Sequence, residues 1–119
     1  ALVVAIATIG HPMVFAPWAH DHHCDHEACG NAALLASART GATPYFGLFW
    51  AWTHTDPTLL ARHRLIRLAL TPATRSARLK AIEAHRSQVT DEVAPRMLTE
   101  SDLDPLQWAS EYYITPTET

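Results

Sequence analysis

Much of what identifies a small domain's class is absent from this 119-residue chain. It has only two cysteines, Cys24 and Cys29. That is too few for a disulfide framework, and their spacing is neither a CxxC redox pair nor half of a common zinc module. Charge of one sign is also missing. Nine basic against twelve acidic side chains leave a formal charge of -3, without the concentrated positive footprint that nonspecific nucleic-acid binding needs. No basic or acidic tail is present. The longest apolar run, ALVVAIATIG at the start, is too short to cross a bilayer and lacks the basic lead-in and cleavage motif of a secretory signal. The chain is therefore expected to bind no nucleic acid, to have no membrane span and to be cytoplasmic. There is no internal repeat, linker or low-complexity tract, and no His-Glu-x-x-His or other complete metal motif.

What remains is 48% hydrophobic residues, enough for one compact domain with a core. Residues 1–9 read as either a helix end or a strand, and periodicity does not separate the two. Met13-Val14-Phe15-Ala16 is a short apolar strand ended by Pro17. A helix is expected over 26–39, with Gly41 at its C-terminal cap and Gly30 allowing close approach to a sheet. YFGLFWAW at 45–52 reads as a strand buried on both faces. Asp56-Pro57 opens a short helix to residue 63, and residues 64–70 read as a strand. Thr71-Pro72 opens a helix to about Val89, with Ala73, Ala77, Leu79, Ala81, Ile82 and Ala84 on its apolar side. Asp104-Pro105 starts a last helix over 105–110, before a strand at 112–114. The alternation predicts an α/β fold.

One stretch is dense in chemistry. Residues 20–30, HDHHCDHEACG, hold four histidines, two aspartates, a glutamate and both cysteines. They begin at the C-terminal end of a predicted strand, where open α/β sheets place ligands. If Asp25 caps the next helix, His26 lies on its first turn and His23 in the loop before it. Neutral imidazole is a good zinc ligand, and a neighbouring carboxylate can hold its far nitrogen. Catalytic zinc takes three protein ligands and a water, whereas this stretch offers one or two. A polar turn of surface histidines is one reading. A closed structural zinc using Cys24, Cys29 or His54 is another. The third is a metal or acid–base site completed from elsewhere.

Phe15-Ala16-Pro17-Trp18, His23-Cys24-Asp25-His26 and Gly30 together resemble the second metal motif of the LmbE-like, or PIG-L-type, zinc-dependent deacetylases. That motif is His-Pro-Asp-His followed by glycine. Lys80-Ala81-Ile82-Glu83-Ala84-His85-Arg86-Ser87-Gln88 is similar to the Ala-x-x-x-His-x-Ser-Gln helix of the same family. Trp50-Ala51-Trp52 looks like a strand end of members acting on glycosylated natural products. Two departures stand out. The family's Ala-His-Pro-Asp-Asp-Glu motif, which supplies two zinc ligands and the general base, has no counterpart in this chain. Cys24 stands where proline is usual.

The resemblance implies that residues 1–119 are the C-terminal segment of a single deacetylase domain. Its expected fold is the C-terminal part of a Rossmann-like, mostly parallel sheet with flanking helices, bound to an N-terminal segment of the same protein. It implies Zn2+ as cofactor, His26 as a metal ligand, and His23 and Asp25 as catalytic residues. His23 would lie beside the reacting carbonyl, and Asp25 would orient an imidazole. Trp18, His20, Trp50, Trp52 and His54 are expected to line the substrate. His85 and Gln88 are expected to have a hydrogen-bonding role, and Lys80 a structural ion pair. The implied reaction is hydrolysis of the N-acyl amide of a glucosamine-type sugar on a glycoside or glycopeptide. The competing expectation is a non-catalytic α/β binding or regulatory module without a complete metal site.

Overall fold

The computed structural model describes residues 2–10, 12–92 and 94–116. The chain runs α1 (Leu2–Ala7), β1 (Met13–Pro17), α2 (Cys24–Thr40), β2 (Thr43–Gly47), α3 (Ala51–His54), α4 (Pro57–Leu60), β3 (Arg64–Ala69), α5 (Pro72–Ala84), α6 (Arg86–Val89), α7 (Glu100–Leu103), a 3-10 turn (Pro105–Gln107) and β4 (Ser110–Thr115). The strands form a four-stranded sheet in the order β1-β2-β4-β3. β1 and β2 pair in parallel, with Ala16 opposite Phe46. β2 and β4 pair antiparallel, with Phe46 opposite Ile114.

This corrects the expected mostly parallel, Rossmann-like sheet. The fold is a small mixed-sheet α/β arrangement in which β1 and β2, joined by α2, are the parallel pair. The strand–helix alternation that suggested a parallel sheet does not carry into the pairing: the second neighbour of β2 is β4, which runs antiparallel to it. No helix among the described residues is long and apolar enough to cross a membrane.

The chain divides into two compact units, residues 1–66 with 112–119, and residues 67–111. The first unit carries the histidine stretch. Its core is Trp18, Ala33, Phe46, Leu48, Ala51, Leu60 and Ile114, with Val14, Ala16 and Trp52 packed against it. A smaller cluster joins Ile6, Ala36 and Ala42. Full burial of a side chain the size of leucine or phenylalanine contributes about 1.5–3 kcal/mol, so these few residues account for much of the unit's cohesion.

α2 buries Gly30, Ala33, Ala36 and Ser37, a narrow stripe of small residues three to four apart that lets the helix lie close to the sheet. Gly41 ends it with φ 70°, the left-handed cap glycine adopts most easily. Burial in β2 alternates: Pro44 and Phe46 are buried, Thr43 is exposed, and Tyr45 and Gly47 are half-buried. It is therefore packed on one face, not two. The opposite face carries an aromatic row, with Phe15 stacked on Tyr45 at 5.2 Å and edge-on to Tyr113 at 5.4 Å. β1 forms one border of the sheet, and its Met13 and Phe15 are 64% and 59% exposed.

Local boundaries follow side-chain caps. Asp56 accepts the Thr58 backbone N–H and hydroxyl at 2.8 Å each, capping α4. These two donors hold its carboxyl below its ordinary pKa. α4 ends at Leu60, earlier than the expected residue 63.

In the second unit Thr71 caps α5 by accepting from Thr74 N–H at 3.1 Å. The expected helix to Val89 is broken at His85, whose ψ of 54° leaves the helical range. None of the α5 residues is buried, so its alanine-rich side does not form the expected packed face. Arg75 donates twice to the Gln107 carbonyl, at 2.9 and 2.7 Å. α7 was not anticipated. Thr99 and Asp102 form a reciprocal capping box around it. The expected helix over 105–110 is only the 3-10 turn.

Candidate metal centre

The loop between β1 and α2 is built around Asp21. Trp18 N–H donates to Gly47 C=O at 2.9 Å, continuing the β1–β2 pairing, and Asp21 N–H donates back to Trp18 C=O at 3.2 Å. This turn drives the Asp21 side chain inward, to 0% exposure. A fully buried carboxylate is tolerable only if its lone pairs are satisfied. Oδ1 accepts from Phe49 N–H at 2.9 Å and Ala51 N–H at 2.8 Å. Oδ2 accepts from Trp50 N–H at 3.2 Å. These are amides at the entry to α3, which have no partner within so short a helix. One side chain thereby joins the β1–α2 loop to the β2–α3 junction.

Oδ2 has a further partner, His26 Nδ1 at 2.6 Å. A carboxylate only accepts, so Nδ1 carries a proton, and in the neutral ring Nε2 keeps its lone pair. The His26 ring lies on the first turn of α2 with its side chain 25% exposed. This is the arrangement that metal-binding histidines favour, the far nitrogen held by a carboxylate and the near one free.

Sequence reasoning placed the orienting task on Asp25. The carboxylate that holds His26 is Asp21 instead, which lies outside the His23–His26 motif. The available signal was an aspartate two residues before His-x-Asp-His. The helix cap also differs from expectation: His23, not Asp25, is the N-cap, its Nδ1 accepting from Asp25 N–H at 3.2 Å. The His23 and His26 rings lie 4.9 Å apart. Asp25 Oδ1 accepts from the Cys24 thiol at 3.6 Å.

Donor atoms of His23, Cys24 and Asp25 all lie within 4.8 Å of one another. This trio fits zinc less well than His26 does. His23 Nδ1 is already the helix cap, and Asp25 is exposed and engaged by the thiol. Both cysteines are free and exposed. For the Zn2+ that the resemblance implies, the donor set fits at one ligand, His26, with the His23 imidazole alongside.

The aromatic residues expected to line a substrate divide. Trp50-Ala51-Trp52 does not end a strand but enters α3. Trp50 meets His54 edge-on at 5.7 Å on the Asp21 side of that turn. Trp52 turns to the core and packs edge-on against Tyr112 at 5.7 Å. Trp18 is a core residue, 7% exposed, flanked edge-on by His20 and His63 at 5.3 Å each. Trp18, His20, Asn31, Leu34 and His63 share a hollow of about 200 Å³ with Gly30 at its floor. His63 had no motif to mark it. His85, Gln88 and Lys80 belong to the second unit and are exposed. No family model, no curated protein and no solved structure matches the chain.

Proposed function

We propose that this chain is part of a zinc-dependent N-acyl-sugar deacetylase, hydrolysing the amide of a glucosamine-type unit to a free amine and a carboxylate. The observation that carries the reading is the buried Asp21 carboxylate holding His26 Nδ1, which leaves Nε2 as the untied donor of a fixed, partly exposed ring. The resemblance of His23-Cys24-Asp25-His26 and His85-Arg86-Ser87-Gln88 to the LmbE-like motifs supports it. So does the position of the site after a strand that pairs in parallel.

In this reading His26 is one of three protein ligands. The other two, and the general base, come from a separate polypeptide segment. The uncovered side of the sheet suits such a segment: β1 is a border strand with a parallel partner, and Met13 and Phe15 are exposed on it. Parallel strands ordinarily have both faces covered. Zinc, when bound, acidifies a coordinated water and polarises an acyl carbonyl. His23, beside His26, is placed to donate to the oxygen on which charge develops or to protonate the departing amine. Trp50 and His54 offer an aromatic wall to a sugar or an apolar aglycone, which favours bulky glycosylated natural products as substrates.

The test is metal content of the protein assembled with the segment that completes the site. His26→Ala is expected to lose its zinc and the release of acetate from an N-acetylglucosaminide, with far-UV circular dichroism retained. Zinc retained at the wild-type level would remove His26 from the ligand set and the reading with it.

A further inference from the structure

One side of the first unit's core is open to solvent. Gly30 brings α2 so close to the end of β1 that a β-carbon there would lie 2.7 Å from Ala19 N and Pro17 O. The same position contributes no side chain, and beside it opens the hollow of about 200 Å³. The depth of that hollow is core: Trp18, Phe46 and Ile114 line it, all three buried members of the main cluster. Protein interiors hold few voids larger than a water molecule, so a space of this size reaching core side chains is an exception. Its wall on α2 is Leu34, an apolar side chain left 44% exposed.

Two more walls are rings. His20 comes from the loop between β1 and α2, and His63 from the turn between α4 and β3. Each lies 5.3 Å from Trp18 by centroid and stands steeply on the indole, at 76° and 78°. A further ring in the hollow finds edges and faces of three aromatic neighbours, the contacts that aromatic pairs prefer. No side chain that lines the hollow carries a fixed charge, so an ion would lose its hydration there without a counter-charge. Asn31, exposed on α2, brings a carboxamide with no hydrogen-bond partner among the described residues. Such a lining selects a flat, neutral, apolar body that carries one polar group.

We propose that this hollow is a binding site for a monocyclic aromatic compound with a neutral polar substituent, of which phenol is the simplest probe. His26 does not line it, and the site depends on nothing in the deacetylase reading.

The test titrates the nitrogen-15-labelled chain with phenol and follows the indole N–H resonances of its four tryptophans. The Trp18 resonance is expected to move most, and to saturate at millimolar phenol, as a ligand of so few atoms allows. Asn31→Phe puts a ring into the hollow from an exposed helix position. It is expected to abolish the shift, with far-UV circular dichroism and the urea midpoint retained. His20→Ala and His63→Ala, both at exposed positions, each remove one wall and are expected to weaken binding about two- to tenfold. Cyclohexanol has the size and the hydroxyl of phenol but neither its flatness nor its π-system, and is expected to bind more weakly. A Trp18 resonance that stays still, or that moves equally in Asn31→Phe, overturns the site. Equal binding of cyclohexanol and phenol overturns its assignment to an aromatic ligand.

Discussion

Replacing Asp21 with alanine is expected to lower the free energy of unfolding by about 3–5 kcal/mol, the range for breaking a buried, hydrogen-bonded charged group. The carboxylate is 0% exposed and accepts from three backbone amides and one imidazole. Alanine leaves all four donors without their acceptor, at about 1–3 kcal/mol for each that water does not reach. Ala51, one of the three, is itself 0% exposed. Urea unfolding measures this as a lower midpoint at unchanged slope. A loss under about 1 kcal/mol would mean that water replaces the carboxylate and that Asp21 does not tie the two loops.

Asp21→Asn separates structure from chemistry. The amide oxygen still accepts from Phe49 and Ala51, so stability falls less than with alanine. The amide nitrogen now faces His26 Nδ1 as a donor. His26 must then accept there and carry its proton on Nε2, the nitrogen that the proposed zinc site would use. Zinc affinity is expected to fall by about 10–100-fold, as when a metal-binding histidine loses its supporting partner. Equal zinc affinity in the asparagine variant would exclude the orienting role.

Gly30→Ala carries the second-largest effect. Alanine in mid-helix is intrinsically better than glycine by about 1 kcal/mol, so on helix propensity alone the change stabilises. The space opposes it. A β-carbon at position 30 meets Ala19 N and Pro17 O at 2.7 Å and Ala19 Cα at 2.9 Å. All three are backbone atoms and cannot rotate away. α2 must move off the end of β1, an overpacking cost of about 1–3 kcal/mol beyond the helical gain.

The displacement has a second readout. His26 rides on α2, and Asp21 follows Ala19 by two residues, so separating the two backbones stretches the 2.6 Å bond between Asp21 and His26. Gly30→Ala is expected to lower both the urea midpoint and zinc affinity, and Gly30→Val to lower them further. A midpoint raised by the propensity gain would show that the helix and the loop do not meet at this contact.

The fold was legible where local chemistry decides. β1 is an apolar run, α2 ends on Gly41, and Asp56 and Thr71 cap the helices they precede. These signals act within a few residues and do not depend on the rest of the chain. Legibility failed where two structures compete for the same apolar residues. YFGLFWAW satisfies both a strand and a helix turn. Burial of Asp21 against the amides of Phe49, Trp50 and Ala51 ends the extended run and opens α3. No window confined to residues 45–52 contains that partner. His85 likewise interrupts a sequence with continuous helical periodicity.

Composition and pattern alone determined that the chain is an α/β protein whose chemistry is concentrated at residues 20–26. They did so because caps, turns and apolar periods are local. Tertiary structure decided how the strands pair, since β2 lies between β1 and β4, and β4 is more than sixty residues further along the chain, beyond the reach of any local signal. It also decided which aspartate holds which histidine. Asp21 and Asp25 are equally plausible partners along the chain. Only the first meets three backbone amides from residues 28 to 30 positions away, and a buried carboxylate settles where its lone pairs are met.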